Sequence, residues 1–266
     1  MTHVGIAFIL TAIAGLSTGI GSGIAFFAKK TNTKFLSISL GFSAGVMIYV
    51  SMLELLTGAM KTLSVPFGEK TGTLLAIVSF FSGMAVIAVI DKLIPEGENP
   101  HSVVSPDKVE SAENHDHKLM RTGVLTALAI GIHNFPEGLA TFISALQEPS
   151  IAIPIVVAIS IHNIPEGIAV SMPIYYASGD KKKAFWYSFA SGLSEPLGAL
   201  IGYLLLMPIM SDTVNGVLFA AVAGIMVFIS FDELLPAARE YGEHHLSIYG
   251  LIGGMAVMAV SLWLFM

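Results

Sequence analysis

His133-Asn134-Phe135-Pro136-Glu137-Gly138 and His162-Asn163-Ile164-Pro165-Glu166-Gly167 are two near copies of one hexapeptide. Each sits in the middle of an apolar stretch long enough to cross a bilayer, and the two stretches are consecutive. Ionisable residues at such depth are expensive, and they mark a functional site by default. The surrounding chain of 266 residues is 54% hydrophobic and 12% charged, with a mean hydropathy of +0.77. A soluble core of that size does not use so much apolar surface, so the composition indicates a polytopic membrane protein.

Apolar stretches of about 20 residues or more, the length a bilayer requires, are expected at 4–28, 35–58, 72–94, 121–147, 151–178, 184–207, 214–238 and 247–266. Eight spans put both termini on one side. Lys29, Lys30, Lys34, Lys92, Lys108, Lys118, Arg121, Lys181, Lys182, Lys183 and Arg239 fall in the odd-numbered connectors, whereas the other side carries only Lys61 and Lys70. The positive-inside bias therefore places the odd connectors in the cytoplasm and both termini outside. The first lysines come after the first apolar run, which reads as a retained helix and not as a cleaved signal.

The expected architecture is an all-α integral membrane protein of one transmembrane domain, residues 1–266. A polar, mobile cytoplasmic loop is expected at about 91–120. Its histidines, His101, His115 and His117, match no closed metal site in their spacing, and a solvated linker is the simpler reading. A net charge of −6 without a basic tail leaves no electrostatic footprint for nucleic acid. With no cysteine, a metal must be held by nitrogen, oxygen or thioether ligands.

The centres of the fourth, fifth and sixth spans fall at Asn134, at Ile164-Pro165 and at Glu195-Pro196. Three neighbouring helices thus bring their polar residues to one depth. His133 and Glu137 are four apart and share a helix face, as do His162 and Glu166, with Asn134 and Asn163 one step around. The short connector Glu148-Pro149-Ser150 folds the fourth and fifth helices into an antiparallel hairpin, so the two motifs meet head to tail about an approximate two-fold axis. The prolines strip helical partners from the carbonyls of Ile132, Ile161 and Gly192, which become further oxygen ligands or water acceptors.

A lone histidine or asparagine in such a span is usually interhelical glue. Three carboxylates at one depth, with no lysine or arginine near that depth in the same apolar segments, are different, because uncompensated buried charge costs several kcal/mol per ion or forces protonation. A bound cation resolves the imbalance, and the imidazole, carboxylate and amide set suits a divalent transition metal. Farther out, Met47 lies near mid-depth of the second span, equally a packing residue or a thioether ligand, and Glu54 lies toward the outside as an entrance carboxylate or an interfacial residue. Asp91, Asp232 and Glu233 lie toward the cytoplasm as an exit site or as hydrated caps.

At these residues the chain resembles the ZIP family of metal-ion transporters, most closely its bacterial, broad-specificity branch. The resemblance rests on the two His-Asn-x-Pro-Glu-Gly motifs, Ser194-Glu195-Pro196, Asp232-Glu233-Leu234-Leu235-Pro236 and eight spans with a polar third connector, and it covers essentially the whole chain. It implies that His133, Asn134, Glu137, His162, Asn163, Glu166 and Glu195 line a central site for one or two ions, with Glu137 and Glu166 bridging them and Met47 as a second-span ligand. It also implies an eight-helix bundle with inverted repeats, often a homodimer, in which one helix group moves against another. Asp232 stands where many members have histidine.

The reading expected from these residues is uptake of Zn²⁺, with Fe²⁺, Mn²⁺, Co²⁺ and Cd²⁺ as further substrates, across a bacterial inner membrane. The divalent ions and the lipid bilayer are the expected partners, and no catalytic residue or resident cofactor is expected. The absence of a GxxxxGK[ST] loop excludes nucleotide-driven pumping of that type, and ligands that release metal can take up protons in exchange. The rival reading is an intramembrane zinc hydrolase, although His-x-x-x-Glu twice is not the His-Glu-x-x-His arrangement of such enzymes.

Overall fold

Residues 3–27, 33–93, 112–147, 149–240 and 244–264 are described by a computed structural model, and every regular element among them is helical. The order is α1 (His3–Ala25), α2 (Thr33–Val50), α3 (Leu56–Phe67), α4 (Glu69–Leu93), α5 (Ala112–Gln147), α6 (Pro149–Ser178), α7 (Lys181–Gly192), α8 (Ser194–Leu206), α9 (Asp212–Ile229), α10 (Leu235–Glu240) and α11 (His244–Leu264). Five runs among the described residues are long and apolar enough to cross a membrane: His3–Ile24, Ser37–Phe67, Glu69–Ile90, Asp212–Arg239 and His245–Leu264. Their outer faces are apolar. On α4, Leu74, Val78, Phe81, Val86 and Val89 are all exposed, a stripe suited to hydrocarbon and costly in water.

The second apolar stretch runs on past the expected end at 58 to Phe67, because no breaker interrupts the helical period before Pro66. Gly68, at φ 78, then turns the chain directly into α4; an L side chain there would be strained. Helix α5 starts at Ala112, so the expected polar connector gives way to helix earlier than its composition suggests. Residues 94–111, including His101, lie outside the described residues, as do the side chains of His115 and His117.

Two helices contain a π-helical turn. Leu56 N–H donates to Ser51 O across Ser51–Leu55, and Leu235 N–H donates to Ser230 O across Ser230–Leu234. Both turns read Ser-x-x-Glu-Leu, in Ser51-Met52-Leu53-Glu54-Leu55 and Ser230-Phe231-Asp232-Glu233-Leu234. Each inserts one residue into the helical repeat and re-aims the side chains beyond it, the usual use of such turns. Helix α7 is capped by Asp180, whose Oδ1 accepts from Lys182 N (2.8 Å) and Lys183 N (3.1 Å). It ends at Gly192, because Pro196 has no N–H with which to continue the ladder.

Glycines sort the helices into two bodies. A Cβ on Gly21 (α1) would strike the backbone of Ile164 (α6), one on Gly167 (α6) that of Thr18 (α1), one on Gly138 (α5) that of Glu195 (α8), and one on Gly198 (α8) that of Phe135 (α5). In the second set, Gly41 and Gly45 (α2) lie against α11, Gly250 and Gly254 (α11) against α2, Gly83 (α4) against α9 and Gly224 (α9) against α4. Among the described residues, every glycine that meets another helix's backbone does so within α1 and α5–α8 or within α2–α4 and α9–α11. Two side-chain bonds between helices follow the same division: Ser188 Oγ donates to Gly167 O (3.2 Å) in one body, and Ser37 Oγ to Ala238 O (2.6 Å) in the other.

Candidate metal centre

One residue separates α5 from α6, so the two helices run antiparallel and depth can be counted from their shared end. At about 1.5 Å per residue, Glu137 lies roughly 15 Å from that end along α5, whereas His162 and Glu166 lie roughly 20 Å and 26 Å along α6. Glu137 is therefore the shallowest of the three and Glu166 the deepest. Asn134, His162, Asn163, Glu166 and Glu195 are fully buried, and Glu137 is 2% exposed.

His162 Nε2 lies 2.9 Å from Glu137 Oε1, a contact between the histidine of one motif and the carboxylate of the other. This is half of the expected head-to-tail meeting. The other half would join His133 to Glu166, and the side chain of His133 lies outside the described residues.

The asparagines work at both ends. Asn163 Nδ2 donates to Ala14 O of α1 (2.9 Å) and to Glu195 Oε1 of α8, which ties α1, α6 and α8 together. Asn134 Nδ2 donates to Ser191 O at the α7–α8 break (3.2 Å), a carbonyl that also accepts from Ser194 Oγ. Both amide oxygens, Asn134 Oδ1 and Asn163 Oδ1, are buried without a hydrogen-bond partner among the described residues. Burying an unpartnered amide oxygen costs about 1–3 kcal/mol, so two in one neighbourhood point to a ligand that uses them. The nitrogens thus serve as interhelical glue, and the oxygens keep their acceptor capacity.

Glu195 owes its position to two close approaches. Its backbone lies against Gly138, so α5 and α8 come close enough to set Glu195 beside the Glu137 turn, and its Cβ lies near Gly15 of α1. The carbonyl of Gly192, freed by Pro196, faces Gly15, where an added Cβ would be 2.5 Å from the oxygen. The sequence suggests an oxygen lining a cavity there, whereas this carbonyl is used for helix contact. Among the described residues, no three His, Asp or Glu side chains close on one point; two of the three carboxylates are held in the pairs Glu137–His162 and Glu195–Asn163.

Met47 is fully buried, and its Sδ accepts a weak bond from Ser43 Oγ of its own helix (3.9 Å). Glu54, half-buried on the first π turn, lines a narrow cleft whose wall also includes Glu137. Asp232 and Glu233 are half-buried on the second π turn. Helix α4 carries Asp91 near its end, with a side chain outside the described residues. Sequence reasoning missed the π turns and two buried methionines of the cleft, Met226 and Met258. The doubled Ser-x-x-Glu-Leu was the signal for the turns, and nothing in the sequence separates these methionines from packing.

The family model described as ZIP Zinc transporter matches residues 92–262. The chain belongs to the ZIP family. Relatives include the zinc transporter ZupT of Clostridium perfringens, 64% identical over 100% of this chain and 98% of the relative. That of Streptococcus mutans is 66% identical over 99% and 98%, and that of Lysinibacillus sphaericus 59% over 97% and 96%. Membership of a ZIP transporter family leaves the hydrolase reading unsupported. Both hexapeptides, Glu195 and the Asp232-Glu233 pair lie inside the stretch matched by the ZIP model, and Met47 and Glu54 lie inside the full-length matches.

Proposed function

We propose that the chain is an uptake transporter that moves divalent transition metal, chiefly Zn²⁺, from outside into the cytoplasm. The carrying observation is the pair of buried amide oxygens that have no partner among the described residues and lie in the same helix group as three buried carboxylates, with no lysine or arginine near their depth. Oxygen and imidazole donors of this kind suit Zn²⁺, Fe²⁺, Mn²⁺, Co²⁺ and Cd²⁺. The ligands are His133, Asn134, Glu137, His162, Asn163, Glu166 and Glu195. An ion binding His162 Nε2 and Glu137 Oε1 competes with protons for both groups, so loading releases the protons they hold and unloading recovers them.

The reading includes eight spans, with α2–α3, α7–α8 and α9–α10 each crossing as one, and both termini outside by the lysine and arginine distribution. Glu54 then stands on the entry side, Asp91, Asp232 and Glu233 stand on the exit side, and Met47 is a second-span ligand. The matching Ser-x-x-Glu-Leu turns favour inverted repeats. Movement of one helix group against another has its natural seam between the two glycine-packed bodies, because every ligand of the centre except Met47 lies on one of them. The reading places the chain in a bacterial cell membrane, often as a homodimer by family resemblance.

The test is zinc entry into proteoliposomes containing a trapped zinc-sensitive dye, comparing the parent with Glu137→Gln, Glu166→Gln and Glu195→Gln. Each substitution keeps size and removes charge. The parent should fill the vesicles and the three variants should fall to the level of empty liposomes while eluting as monodisperse protein. A parent no better than empty liposomes, or three variants as fast as the parent, overturns the proposal.

A further inference from the structure

The cleft that reaches Glu137 is built by both bodies, and their contributions differ in chemistry. The α5 side supplies oxygen: Glu137 at the base, then Thr141 and Ser144, whose hydroxyl hydrogens are used on Glu137 O and Ala140 O of their own helix (both 2.9 Å), leaving oxygen lone pairs as their capacity toward the cleft. The opposite side supplies sulfur. Met226 of α9 and Met258 of α11, each 1% exposed, line the same cleft as the half-buried carboxylate of Glu54.

We propose that Met226 and Met258 form a thioether station that selects the ion before it reaches the central ligands. It rests on the transport reading above and assigns a specificity role to residues outside the central ligand set. The cleft is otherwise mostly hydrocarbon, so an ion passing from Glu54 to Glu137 sheds water where few oxygens replace it. Thioether sulfur offsets that loss for polarisable ions such as Cd²⁺ and Zn²⁺. It offers little to Mg²⁺ and Ca²⁺, which demand oxygen, and less to Mn²⁺ than to Zn²⁺. An ion on this station touches both bodies at once, with sulfur from one and oxygen from the other, so the choice of ion is made at the seam where the bodies meet.

Leucine keeps the volume and apolarity of methionine and removes the sulfur. In proteoliposomes, the Met226→Leu/Met258→Leu variant should lose Cd²⁺ entry relative to Mn²⁺ entry by about tenfold, the low end of the cost of removing a metal-supporting group. Each single variant should show part of that change. Met172→Leu, at a buried α6 methionine outside the cleft wall, should leave the ratio as in the parent. An unchanged Cd²⁺/Mn²⁺ ratio in a double variant that still transports shows the two residues to be an apolar seal and overturns the inference. A double variant inactive toward both ions, with an unchanged ratio in the single variants, overturns it too. Failure of the parent to move any ion instead refutes the transport reading itself.

Discussion

Gly138→Ala should disable the site without touching a ligand. A Cβ at Gly138 would stand 2.5 Å from both the Cα and the carbonyl carbon of Glu195, with nothing flexible between them. Carbon atoms pack at about 3.5–4.0 Å, so α8 must retreat from α5 by about 1 Å. Overpacking of this kind costs about 1–3 kcal/mol of stability. The larger effect is functional, because Glu195 moves with its own backbone while Asn163 remains anchored to Ala14 O on α1. The Asn163–Glu195 bond breaks, and an error of about 1 Å in a preorganised site is worth about 10²-fold in rate. The assay is zinc entry into proteoliposomes alongside thermal unfolding in detergent. Gly58→Ala and Gly253→Ala serve as controls, since a Cβ at either meets nothing within 4 Å and alanine favours a helix. Wild-type uptake by Gly138→Ala would refute the reasoning, for it would mean that Glu195 need not be held where α5 holds it.

Asn163→Leu should lower both stability and metal uptake, because it removes the tie among α1, α6 and α8 together with a buried oxygen; unfolding temperature and uptake should fall together. Asn134→Asp keeps the oxygens but loses the donor to Ser191 O, and should slow uptake more than it lowers the unfolding temperature, read from the same two measurements. Deleting Leu53, half-exposed within the first π turn, should restore regular helix and turn Glu54 by about 100°. Zinc uptake should then fall severalfold, while thermal stability stays level or rises because an irregular turn has been removed.

The two hexapeptides were legible because each combines a composition rule with a spacing rule: polar residues inside apolar runs, repeated, four apart on one face. Those rules placed His162 against the opposite motif, and the 2.9 Å contact with Glu137 agrees with the hairpin. Helix boundaries were less legible. The extension over 59–67 mixes Lys61, Thr62, Ser64 and Pro66 among its apolar residues, so its composition reads as a connector although the helix runs through it. The second role of the asparagines was hidden for another reason, since their partners, Ala14 O and Ser191 O, are backbone atoms that carry no residue signature. Thioethers facing a cleft and thioethers filling a core likewise share one sequence signal.

The glycine pattern joins these levels. A small residue in a membrane helix says only that some neighbour comes close; which neighbour is a property of the fold. Once the partners are known, Gly15, Gly21, Gly138, Gly167 and Gly198 fasten together the helices that carry Asn134, Glu137, His162, Asn163, Glu166 and Glu195. Gly41, Gly45, Gly83, Gly224, Gly250 and Gly254 fasten the wall that bears Glu54, Met226 and Met258. Packing backbone to backbone within each body makes both rigid at close range, and it leaves the seam to side chains, which repack more cheaply than helices separate. On the proposed reading, ligands that sit on one body, all but Met47, and face a cleft partly walled by the other can change their exposure without changing their geometry. The placement of the glycines is therefore as much a part of the transport apparatus as the placement of the carboxylates.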